Sequence, residues 1–135
     1  MKLVKAWEEQ GVEISAPFRR HIKVLFAPDK EGVAEITFSH AILPPGGQTD
    51  YHSHDRPELI HMVSGEGLCV HEGAQTPIRE DIAMWVPAGE KHKIVNTGYN
   101  PIKLAMIFIP AYKASENYAR CMDAAQAKKN QEGEI

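Results

Sequence analysis

His52 and His54 are separated by one residue, and Glu58 follows four positions later, within the run GGQTDYHSHDRPELIHMVSG (46–65). On an extended strand, side chains two apart leave the same face, roughly 7 Å apart at their Cα atoms. Two imidazoles at that spacing can tilt onto one ion, and a carboxylate beyond a bend can supply a third ligand. His92 opens a second short alternating segment in PAGEKHKIVN (87–96) and is a fourth candidate. Three imidazole nitrogens and one carboxylate oxygen form a donor set suited to a first-row transition metal. The competing reading of these residues is a polar strand cluster that holds no ion.

The elements that must position these groups are short strands. Phe18, Arg20, Ile22, Val24 and Phe26 share one parity against mostly polar neighbours, which predicts a half-buried strand. Val33–Leu43 reads as the next strand, with Ala34, Ile36, Phe38, His40 and Ile42 on one side and Pro44-Pro45-Gly46-Gly47 ending it. Strands are further expected over 59–63, 68–71, 82–86, 91–96 and 102–109, with a loop over 73–77. From Ser115, a plausible N-cap, the period becomes helical: Tyr118, Cys121, Met122 and Ala125 form a stripe expected to lie on the outside of the barrel or on a partner subunit. The division is thus an N-terminal arm (1–17) anchored by Trp7, a β-domain (18–112), and a C-terminal helix and tail (113–135) fraying from Gly133. Many short strands punctuated by Gly and Pro predict an all-β, antiparallel barrel or double sheet.

At 135 residues, with 43% apolar and 24% charged residues, the chain is expected to be one globular domain. A net charge of −3 and pI near 6.1 argue against a nucleic-acid partner. Cys69 and Cys121 form no CxxC and read as reduced, largely buried thiols. MKLVKAWEEQ lacks the apolar core of a secretory signal, and no apolar run approaches a membrane span, so a cytoplasmic location is expected.

The histidine motif resembles that of a known family. Gly46, His52, His54, Glu58 and Gly65, with five, one, three and six residues between them, match the first motif of the cupin family; Pro87, Gly89, His92 and Asn96 match the core of the second. One position departs: the second motif opens on Gly six residues before its Pro, where this chain has Asp81. Either Asp81 occupies the turn, since Asp tolerates a left-handed backbone, or the hairpin shifts by one residue. The resemblance implies a double-stranded β-barrel of jelly-roll type, with His52, His54, Glu58 and His92 as metal ligands inside its mouth. It implies one divalent transition metal with open coordination positions, Fe or Mn favoured and Zn, Ni or Cu possible.

Parity nominates the surrounding pocket. Ile60 and Met62 are expected to face inward with Glu58, and Ile94 and Asn96 with His92; Met84, Met106 and Phe108 can complete an apolar lining. Tyr51, Arg56, Gln48 and Tyr99 are the polar candidates, Arg56 because a guanidinium can take a carboxylate bidentately. Most of these residues can equally be barrel filling or solvated surface. His21, His40, His61 and His71 are assigned no chemistry, His61 on parity. No catalytic acid or base stands out. Two functions compete: a metal-dependent enzyme acting on a small oxygenated, anionic molecule by dioxygenase or isomerase/lyase chemistry, and a non-catalytic ligand- or metal-binding sensor. Homodimerisation is expected, because exposed sheet edges invite pairing.

Overall fold

A computed structural model of the protein describes residues 1–133. A 3-10 turn (Ala6–Glu8) precedes strands β1 (Val12–Ile14), β2 (Arg20–Phe26), β3 (Thr37–Leu43), β4 (Glu58–Ser64), β5 (Glu66–His71), β6 (Ala74–Arg79), β7 (Ala83–Val86), β8 (His92–Val95) and β9 (Ile102–Phe108), and helix α1 (Ala114–Gly133). The strands form two antiparallel sheets, one of six in the order β1-β2-β3-β9-β4-β7 and one of three in the order β6-β5-β8. A shared core cluster joins them, with Ile22, Ala41, Ile60 and Leu104 from the larger sheet packed with Cys69, Ile78 and Ile94 from the smaller. The architecture is the double-sheet alternative of the expectation.

Strand patterns translate into burial with local exceptions. In β2, Arg20, Ile22 and Val24 point inward, and a register shift between Val24 and Phe26 then buries Leu25 and turns Phe26 partly out. β3 starts at Thr37 rather than Val33, and its buried face is Thr37, Ser39, Ala41 and Leu43. The stretch expected as a 73–77 loop is strand β6. Glu72 and Gly73 both take positive φ, 42° and 79°, closing a two-residue hairpin from β5. β6 is an edge strand, which accommodates Pro77, and only Ile78 is buried on it; its alternation is therefore faint in the sequence. Asp81 occupies the turn at φ 69°, its N–H donating to the Met62 carbonyl at 2.9 Å.

The arm and the helix also differ from expectation. Trp7 is 79% exposed and does not anchor the arm; Val12–Ile14 instead joins the larger sheet beside β2. The cap of α1 comes from a distant loop, the Asp29 carboxylate accepting the N–H groups of Ala114 (2.5 Å) and Ser115 (3.1 Å). Ser115 lies inside the first turn. The buried stripe is Ala114, Asn117, Cys121 and Ala125, with Met122 outside it. This stripe does not lie on the outside of the sheets; Asn117 and Cys121 from it, with the neighbouring Arg120, close one wall of the central cavity. Of the tail expected to fray from Gly133, Gly133 is the last residue of α1, and residues 134–135 lie outside the described residues. Both cysteines are free and buried, and no described helix is long and apolar enough to cross a membrane.

Candidate metal centre

The segment before β4 runs antiparallel to β8 and brings the two histidine motifs together. Thr49 N–H donates to the Ile94 carbonyl (2.9 Å), and His52 and His92 exchange both backbone hydrogen bonds (3.1 and 2.9 Å). This pairing sets the rings of His52 and His92 4.5 Å apart at their centroids. The turn after Pro87 fixes the position of His54, Gly89 N–H donating to the His54 carbonyl at 2.8 Å. Glu58 opens β4, buried between Val86 of β7 and Phe108 of β9.

The four side chains converge. Nε2 of His52 lies 2.9 Å from Nε2 of His54, and Glu58 Oε1 lies 3.1 Å from His92 Nε2 and 3.8 Å from His54 Nε2. Nitrogen atoms of the three histidines all fall within 4.8 Å of one another. Ligands about 2.0–2.2 Å from one ion stand roughly 3 Å from each other, so this spacing fits a shared cation. The outer ring nitrogens fit too: His52 Nδ1 is 2.6 Å from the Asp50 carbonyl and His92 Nδ1 is 3.0 Å from the Glu90 carbonyl. A carbonyl only accepts, so each Nδ1 carries a proton and Nε2 is the ring nitrogen turned inward, the arrangement that orients metal-binding imidazoles; in the metal-free chain His92 Nε2 donates to the Glu58 carboxylate, a proton an ion would displace.

Electrostatics keep two of the rings neutral. Burial, reinforced by the positive Arg120, lowers the pKa of His52 to about 4. Burial and the neighbouring His52 lower that of His54 to about 3. For His92, burial pulls down, but the hydrogen bonds to Glu58 and to the Glu90 carbonyl prevail and raise it.

The centre opens into a cavity with about 40 Å³ of room for the centres of water-sized molecules. Of the pocket residues nominated by parity, Ile60, Ile94, Met106 and Phe108 line it with the four donor residues. Met62 is fully buried in the core behind it. Met84 faces a separate cleft with Cys69, His71 and Trp85. Tyr51, 45% exposed, and Gln48 border an outer groove beside α1, and Tyr99 is solvent-exposed. Asn96 is buried but donates to the backbone carbonyls of Leu43 and Asn100. Arg56 stacks 3.6 Å from the Tyr112 ring centroid, donates to the Ala111 carbonyl at 2.7 Å and pairs with Asp55, outside the cavity.

The cavity wall contains polar groups that parity and motif spacing did not nominate: Arg20, Ser39, Thr49, Asn117 and Arg120. Behind them, Asp50 accepts from Arg120 Nη1 (3.0 Å) and Arg20 Nη2 (3.4 Å). Arg20 carried a readable signal, as the lone charge on the apolar parity of its strand. Arg120 carried none, because its position depends on where the helix docks.

Two antiparallel sheets around a largely buried three-histidine cluster define a small double-stranded β-helix protein with a metal-type donor set. The chain belongs to the cupin family: the cupin domain model matches residues 39–108, just over half of it. The oxalate-binding protein of Thermotoga maritima is 30% identical over 73 residues, which span 53% of this chain and 60% of that protein, under two thirds of its length. A crystal structure from the same organism, described as a predicted oxalate decarboxylase, has a TM-score of 0.73 at 24% identity, covering 81% of this chain and 99% of that one. A polyketide cyclase from Streptomyces resistomycificus has a TM-score of 0.71 at 19% identity, over 81% of this chain and 79% of that one. These two structural likenesses concern the fold.

Proposed function

We propose that the chain holds one divalent transition metal on His52, His54, Glu58 and His92, and acts through it on a small oxygenated, anionic organic molecule by dioxygenase or isomerase/lyase chemistry. The observation that carries this reading is the convergence of three inward Nε2 atoms and one carboxylate oxygen in a buried, partly apolar cavity. These four residues would hold the ion while leaving room for substrate to chelate it; iron or manganese is favoured for an enzyme of this kind, with zinc, nickel or copper compatible with the same donors. The metal, when bound, supplies Lewis-acid polarisation of a chelating oxygen. The chain's own residues do the rest. The Asp50 and Glu90 carbonyls hold two imidazoles in the ligating tautomer, and the Phe108 ring, 4.7 Å from that of His54, shields the centre from water together with Ile60 and Met106.

Elemental analysis of the purified protein tests the first part. Stoichiometric metal, lost in His54→Ala and retained in His61→Ala, is the expected result. Absence of metal, with no rise in melting temperature on adding Fe, Mn, Ni or Zn, would overturn it. Oxygen uptake with catechols, thiols or 2-oxo acids separates dioxygenase from non-redox chemistry.

A second reading, a binding or sensor protein, has its own support. Apart from the four donor residues, the titratable side chains lining the cavity among the described residues are Arg20, Arg120 and Cys121, so no spare acid or base faces the ligand. The Thermotoga relative is named for binding oxalate. Tight binding of a small carboxylate without turnover decides for this reading. In either case the chain is proposed to work as a cytoplasmic homodimer. A row of apolar side chains, Phe38, Ile107, Leu59 and Trp85, crosses four adjacent strands of the larger sheet, and Trp85 is 58% exposed. Gel filtration at the dimer mass is the expected result.

A further inference from the structure

We propose that Arg120 and Ser39 form a carboxylate-holding subsite in the cavity, so that the ligand is a short organic acid spanning from this wall to the imidazole cluster. The proposal rests on the reading that the cluster binds the other end of the ligand through a metal, and assigns the ligand's class at that same site.

Among the described residues, Arg120 Nε and Ser39 Oγ are the two buried side-chain polar atoms with no hydrogen-bond partner in the protein. Both side chains line the one cavity that also holds His52, His54, Glu58 and His92. A buried polar atom left unpaired is costly, so two on residues that line one cavity mark it as suited to something that binds there. The chemistry of the pair selects an acceptor. A guanidinium Nε–H can only donate, and a hydroxyl can donate alongside it. The Arg120 side chain, 34% exposed, is tethered at its Nη atoms, Nη1 to Asp50 and Nη2 to the weak acceptor Cys121 Sγ at 3.3 Å.

Charge points the same way. Arg20 and Arg120 face one carboxylate, Asp50, leaving this wall one positive charge in excess. A divalent ion opposite Glu58 would leave a second positive charge across the cavity. An acid with two anionic oxygen groups neutralises both. Size points to a short acid, since the cavity leaves only about 40 Å³ to the centres of water-sized molecules. Ile22, Ala41, Leu104 and Met106 leave the middle of the ligand an apolar surround. The N-terminal half of α1, capped by Asp29, thereby becomes a determinant of specificity.

Calorimetric titration of oxalate, malonate and the uncharged analogue oxamide into metal-free and manganese-loaded protein tests the proposal. The expected result is that both acids bind the metal-free chain, that oxamide binds at least tenfold more weakly, and that Arg120→Gln weakens oxalate at least tenfold with metal content by elemental analysis unchanged. Ser39→Ala is expected to raise the melting temperature of the ligand-free protein while weakening oxalate, a divergence that a purely structural serine does not produce. Equal binding of oxalate and oxamide by the wild-type chain overturns the subsite, even if Arg120→Gln fails to fold. Unchanged oxalate affinity in folded Arg120→Gln and Ser39→Ala overturns it as well. If no metal binds but oxalate still depends on Arg120, the metal reading fails and the subsite stands. If metal binds and oxalate ignores Arg120, the subsite alone fails.

Discussion

Arg120 Nη1 donates to Asp50 Oδ2 at 3.0 Å, joining the C-terminal helix to the segment that carries the first histidine motif, 70 residues away in sequence. Asp50 also faces buried Arg20, and its backbone carbonyl orients the His52 ring. One short segment therefore sets the His52 tautomer, docks the helix and balances two cations.

Asp50→Asn removes the carboxylate that faces both arginines. Arg20 is buried, and a buried cation stripped of its partner costs several kcal/mol. A loss of about 3 kcal/mol is expected from urea unfolding, most of it from Arg20, because the Arg120 side chain is partly exposed.

Acid is expected to destabilise the metal-free protein through its own donor set. His52 and His54 titrate near 4 and 3 in the folded chain, against the ordinary 6.5. Between pH 6.5 and those values the unfolded chain binds more protons than the folded one, so stability is full above about 6.5 and drains as pH falls. Unfolding free energies from urea titrations at pH 7 and 4.5 should differ by about 2–4 kcal/mol, the raised pKa of His92 offsetting part of the loss. His54→Gln should flatten this dependence.

The turn at Asp81 offers a test of backbone strain. A side chain at φ 69° costs up to about 1–2 kcal/mol, less for Asp than for most residues. Asp81→Gly is expected to stabilise the protein by about 0.5 kcal/mol, and Asp81→Val to destabilise it by about 2 kcal/mol, as read by denaturant titration.

Removing the long-range cap should loosen α1. Burial would raise the pKa of the Asp29 carboxylate, but the N–H groups of Ala114 and Ser115 outweigh that and lower it. Asp29→Ala is expected to cost about 1 kcal/mol, with hydrogen exchange rising first over residues 114–118.

The sequence by itself determined the strand-rich class, most strand positions and the glycine-bounded histidine runs. These follow from period-2 alternation, turn residues and ligand spacing, all local properties of the chain. It also showed the conflict at Asp81, because a non-glycine in a turn position is visible one residue at a time. Only the tertiary structure decided that Asp29 caps α1, that β6 is an edge strand hidden in polar sequence, and that Arg56 stacks on Tyr112 outside the cavity while Arg20 and Arg120 border it. The physical reason is common to all three. A cap, an edge pairing or a cavity wall is made between segments far apart in the chain, and its partners are set by how sheets and helix dock, which no local period encodes.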